Sequence, residues 1–192
     1  PPTLLISSLG VLDDLTLAVS LNPKFAGDLV YILGETKDEL GGSEYFASQN
    51  FIGNSVPKVD AKSAINLYRK FRSAIENRLI SSALSPQLGG LGIKLAKKAI
   101  AGLLGMEIDF KNIAKSSRPD YFLFSESQSR FVVTIDPKRQ AEFEKHFTDL
   151  PLAKIGTITN DKNFIIKNNG KQIIKTNLST LDEYYRKTFK NF

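Results

Sequence analysis

Short apolar runs alternate with longer amphipathic segments along the chain, and this pattern predicts strands interleaved with helices. Residues 28–33 are almost wholly apolar before Gly34 interrupts them, which predicts a short buried strand. Residues 106–110 alternate between apolar and polar positions, which is typical of a strand with two different faces. Further strands are predicted over residues 3–12, where the run stops at Asp13-Asp14, and over 80–84, 130–135 and 153–159.

The clearest predicted helix covers residues 60–79, with the Asp60 carboxylate as its N-cap. Its apolar residues recur every three or four positions and predict one buried stripe: Ala61, Ala64, Ile65, Tyr68, Phe71, Ile75 and Leu79. Other helices are predicted over 43–50 (capped near Gly42 or Ser43), over 91–101, as a helical turn over 119–124, after Asp136-Pro137, and after a capping box at 180–183.

A β-hairpin is predicted near the end of the chain. Residues 164–167 and 172–175 are apolar-rich and flank Asn168-Asn169-Gly170-Lys171. The Asn-Gly pair tolerates the positive φ angles that a tight primed turn requires. With strands and helices alternating throughout, the predicted fold class is α/β or α+β, with a mixed β-sheet flanked by helices.

Residues 22–28 contain proline, glycine and asparagine in a turn-rich stretch, which predicts a joint between two units. We therefore expect a division into residues 1–25 and 26–192. The first residues, Pro1-Pro2-Thr3, include neither an initiator methionine nor a basic signal region, so we expect the chain to come from the interior of a longer protein.

The composition excludes several kinds of site. The chain has 192 residues with no cysteine and one histidine, so a disulfide framework, a zinc–thiolate centre, a cysteine nucleophile and a multi-histidine metal site are excluded. No apolar run approaches the roughly 20 residues that span a bilayer. His146 lies in a charged helical segment, where we expect an exposed or half-packed surface side chain without a catalytic role.

The net charge is +6 and the isoelectric point is near 9.4. A basic balance suits anionic partners such as nucleic acid, acidic membranes or phosphorylated metabolites. A solvated, lysine-rich surface without any such partner is the other interpretation, and charge alone does not separate them.

Two glycine pairs are candidate anion-binding loops. The pairs Gly41-Gly42 (followed by Ser43) and Gly89-Gly90 each precede a predicted helix, whose unpaired N–H groups and partial positive charge attract phosphates. Neither pair fits a P-loop or a dinucleotide-binding fingerprint, and no nucleophile elbow is present. The glycines also fit a simpler role in tight turns or close packing. The polar run at 125–130, directly before a strand, either binds a ligand or caps a turn.

Three segments together resemble the large subunit of the phosphoribosylformylglycinamidine synthase family. Residues 27–45 carry Gly-Asp-Leu-Val-Tyr-Ile-Leu-Gly and Glu-Leu-Gly-Gly-Ser-Glu-Tyr, and residues 124–133 carry Ser-Glu-Ser-Gln-Ser-Arg. Gly89-Gly90-Leu91 and the later Gly105–Asp109 segment are similar to that family's Gly-Gly-Leu helix and the strand after it. The order and spacing of these segments hold over nearly the whole chain.

This resemblance implies a C-terminal subdomain, like that of aminoimidazole ribonucleotide synthetase, from the second of two tandem halves. Residues 1–25 would then be the last strand and linker of the preceding subdomain. The full enzyme is a cytoplasmic ligase of purine biosynthesis that uses ATP, Mg²⁺ and ammonia to make formylglycinamidine ribonucleotide through an iminophosphate. The implied partners are the other domains of the same chain, a glutaminase subunit and a small accessory subunit. Neither a membrane nor nucleic acid is expected.

The resemblance transfers few functional residues. Glu126-Ser127-Gln128 match a substrate-binding triplet of the family's first half, in a copy that is implied to be an auxiliary nucleotide site. Gly41, Gly42, Ser43, Gly89 and Gly90 are the candidate nucleotide-binding residues. The resemblance implies no catalytic residue here, because the family's catalytic histidine and most substrate contacts lie in the first half. No metal ligand is expected at the second glycine pair, because residues 84–88 replace the family's histidine and acids before it.

We therefore expect the isolated chain to be inactive. The alternative is a basic module that binds nucleic acid or docks a partner without catalysis. Salt-sensitive binding to random DNA or RNA would favour that alternative.

Overall fold

The computed structural model describes residues 5–113 and 118–187. In chain order, its strands are β1 (Leu29–Leu33), β2 (Ser82–Leu84), β3 (Gly105–Asp109), β4 (Phe131–Ile135), β5 (Leu152–Thr159), β6 (Asn163–Asn168) and β7 (Lys171–Asn177). Its α-helices are α1 (Glu44–Ser48), α2 (Ala61–Glu76), α3 (Gly90–Gly102), α4 (Pro119–Phe124), α5 (Gln140–His146) and α6 (Leu178–Arg186). Short 3₁₀ turns lie at Leu15–Leu17, Phe110–Asn112 and Pro137–Arg139.

The seven strands form one mixed sheet in the order β2-β4-β1-β5-β3-β6-β7. The β3–β6 pair is parallel and the other pairs are antiparallel, which confirms the predicted mixed sheet. The central strand β1 is buried at all five positions because helices cover both sides of the sheet. Val30 and Ile32 face one hydrophobic cluster, and Leu29, Tyr31 and Leu33 face the other.

The two clusters give the domain three layers. One cluster joins the sheet to α3, α4 and the start of α6 through residues such as Leu91, Leu95 and Phe122. The other joins it to α2 and α5 through residues such as Leu67 and Phe143. The helices on each side bury their apolar faces against the sheet. This burial of apolar surface is the main source of stability in such a fold.

The predicted hairpin is confirmed. Strands β6 and β7 pair antiparallel, and Asn168 lies opposite Lys171. Asn169 and Gly170 between them have φ angles of 51° and 77°. Two successive positive φ values are those of the primed turn that an Asn-Gly pair favours.

Helix α2 begins where the sequence predicts, with the Asp60 carboxylate accepting from the N–H groups of Lys62 and Ser63. It ends at Glu76, three residues early, and the predicted stripe is partly wrong. Ile65 and Tyr68 are exposed by 47% and 43%, whereas Leu67, omitted from the stripe, is only 4% exposed. The sheet contacts a narrower face of the helix than its amphipathic pattern predicts.

Three further predictions need correction. Residues 5–12 of the predicted 3–12 strand form no strand and are exposed, because no neighbouring strand pairs with them, and residues 3 and 4 lie outside the described part. The last helix starts at Leu178, where Asn177 rather than Thr180 is the N-cap. After Asp136-Pro137 the chain first makes a 3₁₀ turn and only then enters α5.

The side chain of Lys98, on α3, is buried beneath the segment that leads into the domain. Its ammonium donates to the carbonyl oxygen of Leu21 at 2.9 Å and to Ser82 Oγ at 2.7 Å. Burial, reinforced by the nearby charge of Lys24, lowers the pKa of Lys98 to about 7. Lys98 therefore connects the segment around Leu21, which precedes β1, to strand β2 of the sheet.

Candidate functional site

The loop after β1 and the loop before β4 meet at one end of the central strands. Ser125 Oγ donates to the carbonyl oxygen of Lys37 at 2.6 Å, and the Lys37 N–H donates to Ser127 Oγ at 3.1 Å. Both serines are buried. The resemblance-bearing segments at 27–45 and 124–133, far apart in sequence, are thus joined by direct hydrogen bonds.

Arg130 hydrogen-bonds to residues of both loops at this junction. Its side chain is fully buried, and its guanidinium donates to the carbonyl oxygens of Ser127 and Ser125 and to Thr36 Oγ1 at 2.6–2.9 Å. Burial lowers the pKa of Arg130 to about 10, although the charges of Glu39 and Glu126 act in the opposite direction. The planar guanidinium directs Nε, Nη1 and Nη2 to three separate acceptors, a geometry that a lysine ammonium does not reproduce.

The Glu126 carboxylate connects the two glycine loops. Its Oε1 accepts from the N–H of Gly89, which precedes α3, at 2.8 Å and from the N–H of Glu44, the first residue of α1, at 3.0 Å. Backbone N–H groups at a helix start are the donors that would bind an anion. In this chain an internal carboxylate occupies that position.

The remaining N–H groups of the glycine loops also have partners within the fold. Gly41 donates to Ser55 O at 2.9 Å, Gly42 to Ile52 O at 2.7 Å, and Gly90 to Gln87 O at 2.7 Å. The side chain of Ser43 is the N-cap of α1 and accepts from Phe46 N.

The glycines allow close packing as well as turns. A Cβ on Gly90 would lie 2.7 Å from the backbone of Leu123 and Phe124, and one on Gly41 would lie 2.7 Å from the backbone of Ser55. Gly42 and Gly89 have φ angles of 69° and 83°. The sequence left two roles open for these glycines, phosphate binding and close packing in tight turns. The close contacts and positive φ angles favour the second role.

Residues 84–88, where the sequence departs from the family pattern, are the end of β2 and the loop after it, and they carry no acidic or basic side chain. Pro86 is buried, and Leu88 is 63% exposed beside Gly89. The loop therefore lacks the histidine and carboxylate side chains that usually serve general acid–base catalysis.

His146 is half-buried and its Nε2–H donates to the carbonyl oxygen of Lys70 at 2.9 Å. It lies on α5, so it is a packed surface histidine as expected.

Within residues 5–113 and 118–187, no three acidic or histidine side chains are grouped so as to hold a metal ion. Among the described residues, no helix has the length and hydrophobicity needed to cross a membrane.

A cavity of about 550 Å³ lies on the α2 side of the same loops. Ser127 and Gln128 line it, together with Glu39, Lys58 and Lys62, which the sequence analysis did not single out. Glu39 lies in a charged loop directly after a buried strand, which is the one signal that could have drawn attention to it.

Residues 26–168 match the family model described as AIR synthase related protein, C-terminal domain. This chain belongs to that family. It is 31% identical over 188 residues to the phosphoribosylformylglycinamidine synthase subunit PurL of Alkaliphilus metalliredigens, covering 96% of this chain and 25% of that protein. It is 34% identical over 190 residues to the same subunit of Carboxydothermus hydrogenoformans, covering 96% and 25%. The chain thus spans about a quarter of the length of these relatives.

Solved structures agree on the fold. A Thermotoga maritima PurL structure complexed with FGAR matches with a TM-score of 0.75 at 18% identity, over 87% of this chain and 30% of that one. Escherichia coli HypE, a hydrogenase maturation protein, matches with a TM-score of 0.58 at 15% identity, over 80% and 49%. One fold therefore occurs in proteins of different function. The predicted resemblance and fold class are confirmed, and the nucleic-acid-binding alternative is not favoured.

Proposed function

We propose that this chain is the C-terminal part of a phosphoribosylformylglycinamidine synthase large subunit. The observation that supports it is the alignment of 96% of the chain with a quarter of curated PurL subunits at 31–34% identity. Within that protein the chain supplies a folded lobe of an ATP-dependent ligase, and the reaction itself takes place on other domains. It is inactive when isolated.

The geometry at Glu126 supports an inactive lobe. Every N–H group of Gly41, Gly42, Gly89 and Gly90 already has an acceptor within the domain. A phosphate could use the Gly89 donor only after the Glu126 carboxylate has left it. We propose that these glycines and Ser43 face an auxiliary nucleotide in the longer protein, and that Glu126 takes its place in the isolated chain.

The proposed partners follow from the same assignment. They are the remaining domains of the longer chain, a glutaminase subunit that releases ammonia and a small accessory subunit. One neighbouring structure is described as PurLQS from Thermotoga maritima, which matches this chain with a TM-score of 0.74 over 87% of its length at 17% identity. The proposed location is the cytoplasm, and the proposed cofactors of the longer enzyme are ATP and Mg²⁺, with Mg²⁺ held outside this domain.

A domain exchange tests the proposal. In the Alkaliphilus subunit, the final quarter is replaced by this chain, and ammonia- and ATP-dependent formation of formylglycinamidine ribonucleotide is measured. We expect turnover from the chimera and none from the isolated chain. A matched chimera with the Carboxydothermus quarter is the control. Turnover in that control but not in our chimera, or turnover by the isolated chain, would contradict the proposal.

A further inference from the structure

The turn of the β6–β7 hairpin carries a reactive pair of residues. Asn169-Gly170 is the only Asn-Gly pair in the sequence, and both residues are exposed. An asparagine amide is thermally labile where the next backbone nitrogen can reach it, and glycine hinders that approach least because it has no side chain. A Cβ on Gly170 would meet no atom within 4 Å, so the turn is also open to water.

The backbone N–H of Gly170, whose nitrogen would attack the asparagine, already has an acceptor. It donates to Asp109 Oδ2 at 3.0 Å, across 61 residues of sequence. Asp109 Oδ1 accepts from the N–H of Lys111 at 3.0 Å, so both oxygens of this carboxylate are engaged. Asp109 ends β3, which runs parallel to β6, and this pairing brings the carboxylate to the hairpin turn.

The Asp109 carboxylate opposes attack by the Gly170 nitrogen in two ways. The reactive form of a peptide nitrogen is the one that has lost its proton, and a negative charge beside a carboxylate is costly. The nitrogen must also turn away from Asp109 to reach Cγ of Asn169, which breaks a charge-assisted hydrogen bond. The hairpin adds to this resistance, because Asn168 and Lys171 pair on either side of the turn.

We propose that Asn169 is a site of spontaneous deamidation and that Asp109 protects it in the folded chain. After losing its proton to solvent, the Gly170 nitrogen forms a bond to Cγ of Asn169. The bond from Cγ to Nδ2 breaks, and the side-chain nitrogen leaves as ammonia. Water then opens the resulting succinimide at either carbonyl, which gives aspartate or isoaspartate at residue 169.

The modification weakens the hairpin. Both products place a negative charge at the residue next to Gly170, which Asp109 already contacts, and like charges repel. Isoaspartate also lengthens the backbone by one methylene group inside a tight turn. The proposal does not depend on the assignment to the synthase, because it concerns only the hairpin and the end of β3.

The first test compares the folded 192-residue chain with the same chain unfolded in guanidinium chloride, at one pH and temperature. Peptide mapping and mass spectrometry follow deamidation at each asparagine. We expect the unfolded chain to react at least about tenfold faster, and chiefly at Asn169, because neither the carboxylate nor the turn restrains Gly170 there. Intact Asn169 in the unfolded chain, or equal rates in the two states, would overturn the proposal.

Two variants of β3 separate the effect of Asp109 from the general stability of the hairpin. Asp109→Asn keeps an acceptor but removes the charge, and deamidation at Asn169 in the folded chain should become about tenfold faster. Glu107→Gln removes the other carboxylate of β3, whose partner is Lys167 on β6, and should leave the rate unchanged. An unchanged rate in Asp109→Asn, an equal acceleration in Glu107→Gln, or a difference that persists in guanidinium chloride would overturn the proposal.

Discussion

Gly89 donates its backbone N–H to the carboxylate of Glu126 at 2.8 Å, across 37 residues of sequence. Because the same carboxylate oxygen also accepts from the start of α1, one side chain links two glycine loops. Glu126, which the family resemblance implies to be part of a ligand-binding triplet, thus acts in this chain as an internal anion at two helix starts.

Replacing Glu126 should destabilise this junction in graded steps. Glu126→Gln keeps an acceptor but loses the charge, and we expect the free energy of unfolding to fall by about 1 kcal/mol. Glu126→Ala leaves two donors without a partner and should cost about 2–3 kcal/mol. Urea unfolding measures both changes. Glu142→Gln, which affects only an exposed ion pair with Arg139, is the control, and an equal loss there would argue against a special role for Glu126.

Arg130 should tolerate no substitution, including lysine. Arg130→Lys cannot satisfy three acceptors arranged around a planar fork, and we expect a loss of about 3–5 kcal/mol in the free energy of unfolding. The exposed Arg72→Lys is the matched control and should change stability by no more than about 0.5 kcal/mol. Denaturation midpoints that coincide for the two variants would show that the buried network contributes little.

Gly90→Ala tests whether the second glycine pair is needed for packing. The new methyl group would lie 2.7 Å from backbone atoms of Leu123 and Phe124 at a φ angle of 70°. We expect a loss of about 2–4 kcal/mol in thermal or urea unfolding. Gly10→Ala, at a position with no atom within 4 Å, should be neutral. Unchanged stability in Gly90→Ala would exclude the close contact between α3 and α4.

Lys98 should make stability depend on pH above neutrality. Burial lowers the pKa of Lys98 to about 7 in the folded chain, from the ordinary lysine value of 10.5. Between about pH 7 and pH 10 the unfolded chain therefore holds a proton that the folded chain lacks, so the free energy of unfolding rises with pH. Below pH 7 both states are protonated and this contribution is constant. In Lys98→Met, the free energy of unfolding measured with urea should not rise over this pH range. Identical pH profiles for Lys98→Met and the unaltered chain would contradict the prediction.

Local patterns were sufficient wherever neighbouring residues settle the structure. The hairpin follows from Asn169-Gly170, whose backbone preferences need no distant partner. The start of α2 follows from Asp60, which caps it through two adjacent N–H groups. The resemblance segments also identified the family, since their residues can be read directly from the sequence.

Local patterns failed where distant parts of the chain decide. The apolar residues at 5–12 have the composition of a strand, yet they form none because no strand lies beside them. The capping box at 180–183 is overridden because β7 runs directly into α6 and Asn177 is already placed to cap it.

The sequence by itself determined the alternation of strands and helices, the hairpin and the glycine-rich segments, because these depend on contacts between neighbours. Only the tertiary structure decided that the Glu126 carboxylate accepts from two helix starts and that Glu39 is buried with one carboxylate oxygen lacking a hydrogen-bond partner. It also decided that the Lys98 side chain is buried away from solvent. Each of these facts depends on which remote segments exclude solvent from a polar group, and hydrogen-bonding and solvation at that distance leave no periodic signal in the chain.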